Sequence, residues 1–151
     1  MKIIAHRGNL NGPNENTEND PIQIDRCIRR KLDVEIDLWI ENGFWLGHDS
    51  GNYKVDLNWL LERKNSLWIH CKNMEALCHL KLNAPELNFF WHQSDDYTLT
   101  SKGWLWCYPG RPVAVSELHK SDLPAITVMP ENISFDTVNF SGVCTDYPER
   151  Y

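Results

Sequence analysis

Residues 33–40 read Asp-Val-Glu-Ile-Asp-Leu-Trp-Ile, and this stretch constrains the fold more than any other. Alternate residues of a β-strand point to opposite faces. As a strand, the segment sets Glu35 and Asp37 together on one face and Val34, Ile36 and Leu38 on the other. The aliphatic face demands cover from other elements. The acidic face is either an exposed edge or the wall of a site. A strand covered on both sides belongs in a largely parallel α/β sheet, and there the two carboxylates turn inward and can grip one cation.

The rest of the chain repeats strand and helix signals in alternation. Residues 2–5 form a short apolar strand ending at His6, and residues 8–19 a polar loop. Asp20 and Pro21 are the cap and first position of a helix with Ile24, Cys27 and Ile28 on one stripe. Asp56 and Asn73 cap two further helices, with a strand over 67–72 between them. Strands are expected at 88–92, 104–108, 112–116, 125–129 and 142–146, with a marginal helix over 95–102. Phe44 to Gly47 is an extra strand leading to His48.

Strand–helix alternation predicts a parallel sheet with crossovers. Eight strand-like runs predict a compact (β/α)8 TIM-type barrel, a single domain over 1–151, with its site at the C-terminal strand ends. Such barrels rarely fall below ~200 residues. Only three residues separate Tyr108 from Pro112, where a parallel crossover needs about 10–12. Several outer helices must therefore be shortened or missing, or one run is not a barrel strand.

Composition excludes several classes. The 151 residues carry a net charge of −6, which argues against nucleic acid as a partner, since that binding leans on clustered Lys and Arg. No apolar run approaches the ~20 residues of a membrane span. An apolar run of only three residues, Ile3 to Ala5, precedes His6, too short for a secretory signal. Five cysteines without a Cys-x-x-Cys pair read as reduced thiols in a cytoplasmic protein.

His6-Arg7-Gly8, Glu15-Asn16-Thr17, Glu35-Ile-Asp37, His48-Asp49 and a closing Gly142-Val-Cys-Thr-Asp146-Tyr-Pro occur in that order. Together they resemble the glycerophosphodiester phosphodiesterase family, within the phospholipase-C-like phosphodiesterase barrels. The resemblance frames the whole chain; it is dense over residues 3–49 and thin over 75–140. It implies a hydrolase of lipid metabolism that takes a small phosphodiester as substrate. His6 and His48 become an acid–base pair, and Arg7 a phosphate ligand whose planar fork can bond two oxygens. Glu35 and Asp37 become ligands of a divalent cation, magnesium or calcium in character, with Glu15, Asn16 and Asp49 in support.

The chain departs from the family in two places. The family carries a third acidic ligand two residues before a lysine; here the lysine is Lys72 and the ligand position is His70. An imidazole removes one negative charge and moves preference from hard Mg²⁺ or Ca²⁺ toward Mn²⁺ or Zn²⁺. The loop reads Pro-Asn-Glu-Asn-Thr where the family has Pro-Glu-Asn-Thr, so Glu15 aligns through its Glu-Asn-Thr run alone.

Read by themselves, several residues keep two interpretations. His70 and Lys72 are ligand and substrate contact, or Lys72 simply neutralises Glu35 or Asp37. His92 is a substrate contact or a structural histidine. Asp49 orients His48 or caps the next turn. The seven tryptophans stack on a ligand headgroup or fill space left by absent helices, and missing helices leave apolar surface for a homo-oligomer. Function has three readings: hydrolysis of a glycerophosphodiester to an alcohol and glycerol phosphate, a phospholipase-D-like lyase stopping at a cyclic phosphate, or a non-catalytic phosphate-binding module.

Overall fold

The computed structural model describes residues 1–109, 117, 122–132 and 140–151. Its strands are β1 (Lys2–His6), β2 (Asp33–Ile40), β3 (Phe44–Leu46), β4 (Tyr53–Val55), β5 (Leu67–Cys71), β6 (Phe89–Phe90), β7 (Tyr97–Leu99), β8 (Leu105–Cys107), β9 (Ala125–Val128) and β10 (Gly142–Thr145). The α-helices whose bounds lie among the described residues are α1 (Pro21–Arg29), α2 (Leu57–Glu62) and α3 (Met74–Asn83). All three expected caps are made: Asp20, Asp56 and Asn73 accept from the backbone N–H of Ile22, Trp59 and Ala76. Each satisfies a donor that the first helical turn leaves unpaired.

All ten strands join one mixed sheet. Its parallel part runs in the order β6, β5, β2, β1, β10, β9, β8. The first and last segments of the chain are thus neighbours, with Ala5 opposite both Val34 and Thr145. β2 outlasts β1, and its far end pairs with β3 in an antiparallel hairpin that carries the chain to His48.

The eight-stranded barrel is met only in part. Seven strands are parallel among the described residues, and no ladder there joins β6 to β8. The segment expected as a marginal helix over 95–102 supplies the reason. Its Tyr-Thr-Leu core is a strand, β7, turned back at Gly103 and paired antiparallel to β8. β7 takes the edge of β8 that β6 needs for closure. The strand expected at 112–116 lies outside the described residues, and β8 pairs directly with β9.

Alternation sorts side chains into two layers. Ala5, Val34, Ile36, Leu38, Leu67, Ile69 and Cys71 point outward, where Ile24 and Cys27 of α1, Leu60 of α2 and Leu80 of α3 cover them. On the inner face Ile4, Trp68, Phe90, Trp106, Ile126 and Cys144 form a second cluster. Its rings meet directly, Phe90 with Trp106 at 4.6 Å and Trp68 with Trp106 at 5.8 Å between centroids. Trp68 and Trp106 both fill the interior, in keeping with the scarcity of outer helices, and Trp106 also lines a cavity. All five cysteines are free. Among the described residues no helix is long and apolar enough to cross a membrane.

Candidate active site

The residues that follow the inner aromatic cluster toward the C-terminal strand ends are polar. Two-residue periodicity carries Ile4 to His6 on β1, Trp68 to His70 on β5 and Cys144 to Asp146 after β10. Glu35 and Asp37 occupy the same face of β2, in register with the β1 and β5 residues: His6 lies opposite Glu35, and Asp37 opposite His70. Local sequence fixes each side-chain direction, and strand register brings them together.

Glu35, Asp37 and His70 each offer a ligating atom, all within 4.8 Å of one another. His70 Nδ1 lies 3.3 Å from Asp37 Oδ1 and 4.0 Å from Glu35 Oε1. At 2.8 Å, His70 Nε2 donates to the backbone carbonyl of His92. In a neutral ring that bond places the proton on Nε2 and the lone pair on Nδ1, aimed at the carboxylates, which is the arrangement of a metal-binding histidine.

The carboxylates differ electrostatically. Burial and the neighbouring Asp37 charge push the Glu35 pKa above the usual carboxylate range, and His6, His70 and Arg7 only partly offset them. Burial acts on Asp37 the same way, but a His70 ring that carries protons on both nitrogens and donates from Nδ1, together with the charges of Lys72 and Arg7, outweighs it and holds Asp37 low in the metal-free site. Lys72 Nζ is 3.4 Å from Asp37 Oδ1. Glu35, 3% exposed, is thus a buried carboxyl whose charged form has too little positive charge beside it. Two carboxylate oxygens and one imidazole nitrogen suit a divalent ion, so the donor set fits a metal.

His6 Nδ1 bonds Asp146 Oδ1 at 2.8 Å, and its Nε2 lies 4.0 Å from Glu35. Burial disfavours the charged ring, yet the bond to Asp146 and the Glu35 charge prevail, and the His6 pKa rises above the ordinary imidazole value. Asp146 also accepts from Asn9 at 2.8 Å. His48 sits in the loop after β3, exposed, with Nδ1 2.6 Å from Asp49 Oδ1. A hydrogen bond to Asp146 fixes Nδ1 of His6, whereas His48 Nδ1 lies beside the exposed Asp49 carboxylate without hydrogen-bond alignment; in both, Nε2 is the nitrogen left for chemistry. Gly47 shapes this loop: at φ 153° a Cβ there would lie 2.0 Å from the carbonyl oxygen of Ser50.

His6, Arg7, Glu35, Asp37, His48, His70, Lys72 and His92 all line one cavity of about 320 Å³. Arg7 and His48 also border an adjoining cavity of about 340 Å³, together with Glu15, Glu18 and Asp49. Arg7 sits between them with φ 51°. Its backbone N–H donates to Glu35 and its Nη1 to Glu18, while Nε lies 3.2 Å from Asp37 without hydrogen-bond alignment. His92 is buried with both ring nitrogens unpartnered, and burial together with nearby His70 lowers its pKa.

Three contributors fall outside the expected set. Glu15 and Asn16 are exposed, Glu15 at the rim of the adjoining cavity, and neither bonds the acidic centre in the structure. The supporting contacts expected of them are made three residues later. Glu18 binds Arg7 and Asn9. Asn19, fully buried with φ 62°, donates to Asp37 Oδ2 at 3.0 Å and accepts from the Asp37 N–H at 2.9 Å. The sequence repeats itself here as Glu-Asn-Thr-Glu-Asn-Asp-Pro, and only the second Glu-Asn abuts the Asp20–Pro21 helix start. That adjacency was the available signal, and so was the closing Thr-Asp for Asp146.

The fold so described is a mixed α/β sheet with its polar constellation at the C-terminal ends of parallel strands. No protein-family model matches the chain, and no curated protein matches it. Among solved structures it is similar to a candidate glycerophosphodiester phosphodiesterase from Galdieria sulphuraria. The match has a TM-score of 0.55 and 13% identity over 98% of this chain and 94% of the other. At that identity the likeness is one of fold.

Proposed function

We propose that this protein is a metal-dependent phosphodiesterase that hydrolyses a small glycerophosphodiester to an alcohol and glycerol phosphate, on a compact barrel of the (β/α)8 type. One observation carries the reading: a Glu35–Asp37–His70 cluster, able to hold a divalent ion, shares a cavity with two histidines that each have an aspartate beside Nδ1 and with two cationic side chains. The fold of the Galdieria protein supports it.

A bound Mg²⁺, Ca²⁺, Mn²⁺ or Zn²⁺ supplies Lewis-acid neutralisation of charge on the phosphoryl oxygens. Arg7 and Lys72 bind and orient the same oxygens. His6 and His48 move protons: one accepts from the attacking hydroxyl, the other donates to the departing alcohol oxygen. With the substrate's own glycerol hydroxyl as attacker, a new P–O bond closes a cyclic phosphate as the ester bond to the alcohol breaks. Water then opens the ring with the histidine roles exchanged. Asp146 holds Nδ1 of His6 through a hydrogen bond, Asp49 lies beside Nδ1 of His48, and each Nε2 is left for this work.

The test is a panel of Mg²⁺, Ca²⁺, Mn²⁺ and Zn²⁺ against glycerophosphocholine, glycerophosphoethanolamine and an aryl phosphodiester. His6→Ala and His48→Ala should each lower turnover by roughly 10²–10⁴-fold with the fold retained. Undiminished turnover in both variants removes the mechanism. A cyclic phosphate as the ³¹P NMR end product assigns the lyase reaction instead. Binding without turnover under every metal assigns a binding module.

A further inference from the structure

The chemistry above leaves one buried group in the main cavity without a task. His92 follows β6, is 8% exposed and lines the cavity, yet among the described residues neither ring nitrogen meets a partner. Its place is secured through other atoms. The backbone carbonyl accepts from His70, and the ring packs against Tyr108 with centroids 5.3 Å apart. Trp106 lines the same wall. Buried polar atoms are almost always hydrogen-bonded, so two orphaned nitrogens on one cavity-lining ring mark a place where a ligand completes the bonding.

An uncharged imidazole offers one donor and one acceptor. The ligand group that suits it has hydroxyls, which do both, on a short carbon skeleton that can lie on aromatic rings. A glycerol unit has this chemistry. The trimethylammonium end of a choline ester does not: it carries no hydrogen-bonding atom and would leave both nitrogens orphaned, whatever it gained from the aromatic faces. A bare phosphate draws mainly on the cationic Arg7 and Lys72 of the same cavity and has no need of His92.

We propose that His92 is the specificity residue for the glycerol arm, hydrogen-bonding its hydroxyls while the carbons rest on Trp106 and Tyr108. This deepens the phosphodiesterase reading and rests on it for the identity of the substrate, but its test does not require turnover. Glycerol 3-phosphate and inorganic phosphate are titrated calorimetrically, with Mn²⁺ present, into the wild type, His92→Phe and His92→Gln. The preference for glycerol 3-phosphate over phosphate should fall roughly tenfold in His92→Phe, the size of a lost hydrogen bond. In His92→Gln, which keeps a donor and an acceptor, most of it should return. His92→Leu carries the same measurement if the phenyl ring does not pack, with near-UV circular dichroism as the check on folding.

A preference that survives His92→Phe and His92→Leu overturns the assignment, as does a wild type with no preference for glycerol 3-phosphate. Wild-type hydrolysis is scored separately. Selective, His92-dependent binding without turnover strikes the hydrolytic reading and sustains the subsite. Turnover with His92-independent selectivity does the reverse.

Discussion

Replacing Asn19 should damage the acidic centre more than any other change outside it. Asn19→Ala removes the donor to Asp37 Oδ2 and the acceptor for the Asp37 N–H. A hydrogen bond to a charged group contributes about 1.5–3 kcal/mol, and a buried donor left unpaired costs about 1–3 kcal/mol. These overlap, because they belong to one contact. Alanine at φ 62° adds about 1–2 kcal/mol of left-handed strain that asparagine largely escapes. The expected loss is roughly 3–4 kcal/mol, a large part of a typical domain's stability of about 5–15 kcal/mol. Asn19→Gly relieves the strain alone and should recover about 1 kcal/mol of it.

Urea unfolding of the metal-free protein measures these differences. Calorimetric titration with Mn²⁺ measures the consequence for the site, where loss of a group that orients a ligand costs about 10–100-fold in affinity. Asn16→Ala is the control, at an exposed residue, and should stay within about 0.5 kcal/mol of wild type. If Asn19→Ala unfolds as wild type does, or Asn16→Ala costs as much, the assignment of the second Glu-Asn pair to the site is wrong.

Two further perturbations test the histidines. Asp146 raises the His6 pKa, so Asp146→Asn should move the His6 limb of the pH–rate profile to lower pH and reduce the maximal rate; a limb that stays put separates His6 from that ionisation. Gly47→Ala forces a Cβ to within 2.0 Å of the Ser50 carbonyl oxygen, so the His48 loop must shift. It should cut turnover nearly as far as His48→Ala and cost about 1–3 kcal/mol in thermal unfolding, and activity at the wild-type level would show that His48 needs no fixed loop.

Much of this protein is legible in its sequence because the governing physics is local. Period-two alternation sets Glu35 and Asp37 on one face of β2, and Asp20, Asp56 and Asn73 cap their helices because a short polar side chain reaches the next turn's N–H wherever it occurs. The order of the His-Arg-Gly, acidic and His-Asp elements located most of the cavity. Tertiary structure alone decided three things. Register across β2 and β5 placed His70 against Asp37, since pairing depends on strands distant in sequence. The duplicated Glu-Asn was resolved only by packing, because both copies satisfy the same local pattern and one reaches Asp37. Closure turned on whether residues 97–99 paired with β8 or coiled into a helix. Their short Tyr-Thr-Leu run has the side chains of a strand, but only the free edge of β8 supplied the partner, and in taking that edge they kept β6 from pairing with β8, so that among the described residues no ladder completes the ring.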